Sequence, residues 1–229
     1  MKLINIFLIL IFISLSSCSE KIVELPETLN QDILDVKDVS SVYMFYDEEL
    51  DTISFNRKNM ISSTNWLVAI DKRLTLNQTL PHLMYLQEKR HKDGIHQNKN
   101  AKSYFSCSNP EIKNLAFIEF TDVTYHDEPI IEFVTEFFNK ETKDTSPLYV
   151  NFKSKDSIFI GSPFSLTTTN NVNFLKTLDS LSLNTQMSDE LFLSFKNTLT
   201  FQEYIDCKSM LLDIETKNLK VSNHEFIYN

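Results

Sequence analysis

The stretch Asn65–Lys92, NWLVAIDKRLTLNQTLPHLMYLQEKRHK, decides how this chain is read. Asn65 to Ile70 is a continuous apolar run of strand length, the pattern of a strand covered on both faces. Asp71-Lys72-Arg73 turns the chain into solvent. Thr75 and Gln78 then stand at capping-box spacing, where each side chain takes up the other residue's backbone N–H. Leu76, Leu80, Leu83 and Met84 fall on one face of the helix that follows. Pro81 brings no amide hydrogen, so the helix is expected to start nearer Thr79 or to kink there. The cations of Glu88 to Lys92 sit favourably near its negative end, and Asp93-Gly94 marks the stop.

Working outward, Val42–Tyr46 and Thr52–Phe55 read as a hairpin over Asp47-Glu48-Glu49. Leu115–Phe120 is a strand. Ile130–Phe138 carries both periods, and the alternation of Ile131 and Phe133 with Glu132 and Glu136 favours a strand over the helical spacing of Phe133 with Phe137. Leu148–Phe152 and Ser157–Ile160 form a second hairpin. Helices are expected at Asn171–Leu181, from Ser188 to about Lys196, and from a second capping box (Thr200, Glu203) through Phe201 to about Met210. Leu211–Ile214 and Leu219–Tyr228 close the chain as a hairpin over Thr216-Lys217-Asn218. No fixed-period repeat is evident. The pattern predicts an α+β fold: a mainly antiparallel sheet with one helix in the N-terminal half and helices clustered in the C-terminal third.

The first eighteen residues are of a different kind. Lys2 precedes an apolar run from Leu3 to Leu15, too short to cross a bilayer comfortably. The run ends in Leu15-Ser16-Ser17-Cys18, which resembles the lipobox of bacterial lipoproteins. That resemblance implies a signal peptide over 1–17, removal of the leader, and lipidation of Cys18 as the first mature residue. Several acyl chains at about 0.8 kcal/mol per buried CH₂ give stable anchoring. It also implies an exported protein of the bacterial cell envelope, held at the outer membrane if the host is Gram-negative, because Ser19 is not an inner-membrane retention Asp. Glu20, Glu24, Glu27, Asp32, Asp35 and Asp38 make 18–40 read as the lipidated Cys and an acidic, solvated tether. Residues 41–229 are then a single globular domain. A short helix within Asn30–Val36 is an option.

Composition excludes more than it assigns. The formal charge of −9 argues against nucleic acid. Only two glycines occur, Gly94 and Gly161, so the glycine-dependent phosphate loops, dinucleotide turns and nucleophile elbows are missing. No cofactor is expected. With 18 Phe and 42% hydrophobic residues, a sizeable core is assured.

Few side chains offer chemistry. His91 and His96, five residues apart across Gly94, are candidate metal ligands, and His126 beside Asp127 and Glu128 is another. A solvated loop is the simpler reading of both. Asp71, Lys72 and Arg73, at the end of a buried strand and before a helix, are candidate polar site residues. Cys107 and Cys207 are either a disulfide worth about 4–5 kcal/mol or two separate buried thiols. Trp66 reads as core rather than as a glycan platform. The segment Leu67–Arg90 resembles the periplasmic domain of the ExbD/TolR biopolymer-transport family, over too short a stretch to carry a function across. The resulting expectation is a non-enzymatic binding domain, displayed at the membrane through Cys18, whose partner is a protein or another envelope component. The alternative is an envelope hydrolase or metal-dependent enzyme using the His91/His96 loop.

Overall fold

A computed structural model describes residues 21–92, 98–141, 146–162, 165–182, 187–212 and 219–229. Strands β1 (Val39–Asp47), β2 (Thr52–Asn56) and β3 (Asn65–Ile70) lead into helix α1 (Leu76–His91), then β4 (Ser103–Asn109), β5 (Asn114–Glu119) and β6 (Thr124–His126). Helix α2 (Ile130–Glu141) precedes β7 (Ser146–Ser154), β8 (Ser157–Ser162) and β9 (Ser165–Thr169). Helix α3 (Phe174–Ser182), β10 (Met187–Lys196), α4 (Phe201–Leu212) and β11 (Lys220–Tyr228) complete the chain. No helix among the described residues is long and apolar enough to cross a membrane.

The fold is α+β, and both sheets are mixed rather than mainly antiparallel. One has the order β2-β1-β3-β4-β5 and the other β6-β11-β10-β7-β8-β9. Hairpins β1–β2, β4–β5, β7–β8 and β8–β9 are antiparallel. The central pairs β1–β3, β3–β4, β7–β10, β10–β11 and β11–β6 are parallel. Helices alternate with strands along the whole chain instead of clustering late, because each parallel pair needs a crossover.

Two local readings are overturned by burial. Ile130–Glu141 is a helix, so the spacing of Phe133 with Phe137 prevails over the alternation. The expected helix from Ser188 is strand β10. Its residues Leu191 to Phe195 are all buried: Leu191, Leu193 and Phe195 enter the main core, while Phe192 faces α2 in a second cluster with Val134 and Phe226. The closing hairpin is also absent. Leu211 and Leu212 belong to α4, and β11 runs parallel to β10; residues 213–218 lie outside the described residues. Helix α1 starts at Leu76, with both halves of the Thr75/Gln78 capping box formed and Pro81 inside. The cap therefore outweighs the proline in setting the boundary.

A repeat that sequence inspection missed organises the molecule. The order hairpin, parallel strand, capped helix, parallel strand occurs twice: β1-β2-β3-α1-β4, and β7-β8-β10-α4-β11 with β9 and α3 inserted between β8 and β10. The buried Trp66, Val68 and Ile70 of β3 correspond to the buried Leu191, Leu193 and Phe195 of β10. The turns Leu74-Thr75-Leu76 and Leu199-Thr200-Phe201 correspond likewise, and they bond to each other. Leu76 N–H donates to Leu199 O at 2.8 Å, and Phe201 N–H to Leu74 O at 2.7 Å. Asn77 N–H donates to Asn197 O, and Gln202 N–H to Lys72 O. Thr75 and Thr200 form the antiparallel bridge at the centre. Helix α4 packs between the sheets, with Tyr204 edge-on to Phe105 of one and Phe195 of the other. Helix α1 likewise touches β2 of one sheet and β6 and β11 of the other.

At one matched set of core positions the halves differ in polarity. Phe105 pairs with Val68, and its counterpart Glu225 pairs with Leu193. Glu225 is fully buried and accepts from Tyr204 Oη at 2.6 Å and from Lys208 Nζ. Leu83 occupies the position of Lys208 in the other helix. The fold thus accepts either apolar packing or an ion pair here. We predict that Lys208→Met destabilises by about 3–5 kcal/mol, because it leaves a buried carboxylate without its cation. Adding Glu225→Phe is expected to restore most of that loss. Urea denaturation of the singles and the double checks this, and an additive double mutant would contradict it.

Candidate functional site

The site forms where β3 ends. Past Val68, β3 no longer pairs with β4, since their register stops at Val68 with Phe105. The segment expected to be a free tether lies in that split as an extended strap, Lys21–Lys37. On the β3 side, Lys72 N–H donates to Glu24 O at 2.8 Å, and Glu24 N–H to the Asp71 carboxylate at 3.2 Å. On the β4 side, Ser108 N–H donates to Pro26 O at 2.8 Å and Thr28 N–H to Ser108 O at 3.0 Å. The side-chain amide of Gln202 on α4 clamps one strap peptide in both directions. Glu27 N–H donates to Oε1 at 2.7 Å, and Nε2 donates to Glu27 O at 3.0 Å. Pro26 and Thr28 are buried, and Thr28 Oγ1 lies 3.0 Å from Ser209 Oγ. An Asx turn at Asn30 replaces the optional helix.

Asp71, Lys72 and Arg73 are brought together here. Asp71 is fully buried. It accepts from Arg73 Nε at 2.8 Å, from the Arg73 terminal nitrogen at 2.9 Å, and from the Arg73 backbone at 3.1 Å. Burial by itself raises the carboxyl pKa, but the bonds from Arg73 and Glu24 outweigh it and hold it below the ordinary value. Arg73 is pushed up by the same pairing and also meets Glu24 and Glu48. Lys72 Nζ stands 3.8 Å from both Glu24 and Glu27 of the strap. Asp71 is saturated with donors, so it orients Arg73 and the strap rather than abstracting protons.

Beside the strap opens a groove of about 1280 Å³. The strap residues Leu29 to Asp32 form one wall, and Gln202, Asp206 and Met210 of α4 the other. Lys72, Arg73 and Pro110 also line it. No histidine among the described residues lines it. The wall carries amides, carboxylates and exposed apolar groups together, a surface suited to polypeptide contact.

The other candidates lie elsewhere. His91, on the last turn of α1, has Nδ1 2.9 Å from Gln87 O; His96 lies outside the described residues, as does Cys18. His126 is joined not to His91 but to His224, with 2.8 Å between ring nitrogens, and to Glu128 at 3.4 Å. Burial lowers both of these imidazole pKa values. Among the described residues no three His, Cys, Asp or Glu side chains converge closely enough to hold a metal ion. Cys107 and Cys207 are free, buried thiols. Burial pushes Cys107 up to about 12 and Cys207 further, so neither is reactive near neutral pH. Trp66 is core, with its ring under Arg90 at 3.5 Å and its indole N–H on Ile61 O.

Sequence reading missed the strap's docking, Gln202 and His224. One signal was present: acids at Glu24 and Glu27 complement Lys72 and Arg73. Nothing local ties Gln202 to a segment so far away in the chain.

Protein-family models, curated proteins and solved structures were each compared with this chain, and none matches it.

The Asp71 pairing has a definite pH signature. Its pKa is depressed on folding, so its stabilisation is present above the unfolded value of 3.8 and is lost as pH falls through the lower folded value. We predict that Asp71→Asn costs about 1–3 kcal/mol near neutral pH, with the deficit shrinking below 3.8. Urea denaturation at the two pH values checks this; an equal deficit at both would contradict it.

Proposed function

We propose that this chain is a lipid-anchored protein of the bacterial cell envelope, held through Cys18, whose domain binds a protein or another envelope component without transforming it. In a Gram-negative host its place is the outer membrane. The observation that carries the binding reading is the groove between the strap and α4. It is large and open, and its mixed wall of Asn30, Gln31, Asp32, Gln202, Asp206 and Met210 suits recognition. The cations at the groove, Lys72 and Arg73, are already matched. Asp71 is bonded to Arg73, and Lys72 lies against Glu24 and Glu27. Ser209 Oγ donates to Ile205 O and meets Thr28, so it is placed as a structural hydroxyl rather than as a nucleophile beside a base. The anchor and the groove are close along the chain, because only Ser19 and Glu20 separate Cys18 from the strap that forms one groove wall.

Two expectations follow from this reading. Cys18→Ala moves the protein from the membrane to the soluble fraction of the host, read by fractionation; retention on the membrane would remove the anchor from the proposal. Asp206→Lys combined with Met210→Glu, both on the groove wall, lowers capture of envelope partners by the tethered protein at least tenfold, a loss of about 1.4 kcal/mol. Unchanged capture by that folded variant would place the binding surface elsewhere.

A further inference from the structure

We infer that the slot between the diverging ends of β3 and β4 is a receptor for an extended acidic segment of a partner polypeptide, and that the strap Lys21–Lys37 is its resident, exchangeable occupant. This rests on the binding reading above and deepens it, because it specifies the chemistry of the ligand.

The slot already holds such a segment. Most of the bonds that seat the strap across it run to the strap's main chain, namely Lys72 N–H to Glu24 O, Ser108 N–H to Pro26 O, Thr28 N–H to Ser108 O, and both arms of the Gln202 amide on Glu27, with Thr28 Oγ1 to Ser209 Oγ as a side-chain exception. This is recognition by strand addition, which any extended chain of suitable composition satisfies. Side chains supply the selectivity. Lys72 lies against Glu24 and Glu27, and Arg73 reaches Glu24 at 3.2 Å. The slot therefore prefers carboxylates three positions apart, as in Glu24-Leu25-Pro26-Glu27.

The strap is also lightly held. Within Lys21–Lys37 only Pro26 and Thr28 are buried, while Ile22 and Leu29 are 71% and 60% exposed. A segment with so little apolar burial opens at the low end of the local stability range. Competition by the strap is intramolecular, at an effective concentration in the millimolar range, so a partner segment binds the resting protein weakly and the strap-released protein tightly.

The test uses the mature chain with Cys18→Ser, in solution, and a fluorescent synthetic peptide of the strap sequence, KIVELPETLNQDILD, as the probe. Pro26→Lys with Thr28→Lys forces charges into the strap's two buried positions and ejects the strap while leaving the slot intact. Anisotropy is expected to show peptide binding at least tenfold tighter for this variant than for the parent. Adding Lys72→Glu should reverse the gain, and a peptide with both glutamates replaced by lysine should not bind. Hydrogen exchange on the parent supplies a readout free of substitutions: the amides of Thr28 and Ser108 should exchange by local opening, well ahead of Val68 and Leu193. Three results would overturn the inference. These are a folded strap variant that ignores the peptide, Thr28 exchanging only with the core, or a variant that dimerises through its own strap instead of taking the peptide. None of them touches Asp206 or Met210, so failure here is distinguishable from failure of the groove.

Discussion

The pairing of Leu74-Thr75-Leu76 with Leu199-Thr200-Phe201 is the contact on which the rest of the structure depends. A helix N-terminus leaves backbone N–H groups without intrahelical partners, and these cannot be buried unpaired. Here both helices begin at the seam between the two sheets, with their first residues Leu76 and Phe201 buried. The first two donors of α1 go to Leu199 O and Asn197 O, and those of α4 go to Leu74 O and Lys72 O. The third donor in each helix goes to its own cap, Thr75 or Thr200. Each half completes the other's helix terminus. Facing two helix N-termini brings like ends of two dipoles together, and Glu203 in the first turn of α4 offsets part of that repulsion.

This constraint generates the candidate site. To reach Leu199 and Phe201, the chain must leave the plane of its sheet just after Ile70. β3 then parts from β4, and the free backbone groups of Ser108 and Lys72 need partners. The strap supplies them. Asp71 stands at the point of departure and is buried for the same reason, which explains why it is bonded by its neighbour Arg73 and by the strap rather than by solvent. The groove follows from the strap crossing α4 on its way to β1.

The candidate residues were legible in proportion to how local their chemistry is. The Thr75/Gln78 and Thr200/Glu203 boxes could be read because each spans only three residues, and both form as read. Asp71-Lys72-Arg73 could be marked as a polar strand end. Its role could not, since its partners Glu24, Glu27 and Glu48 come from other segments. The equivalence of the two capping boxes lay in the sequence as Leu-Thr-Leu-x-Gln and Leu-Thr-Phe-x-Glu. It escaped notice because the strands ahead of them share only buried apolar character. His126 offered ligand chemistry, but its neighbour is His224 through a parallel pairing of β6 with β11 that nothing near either residue announces.

By itself the sequence determined the β3–α1 unit, the two helix caps, and the hairpins β1–β2 and β7–β8. All of these rest on interactions within a few residues: alternation, apolar spacing, capping geometry and short turns. The tertiary structure decided that Met187–Lys196 is a strand, that Ile130–Glu141 is a helix, and that the central strands are parallel. It also laid the acidic segment into the fold as a strap. Those outcomes turn on which faces end up covered. Leu191 to Phe195 is buried on both sides, by the shared core and by α2, and a fully buried segment carries no amphipathic period by which helix and strand can be told apart. The strap's place was settled by unpaired backbone at Lys72 and Ser108, which exists only once the two halves have met.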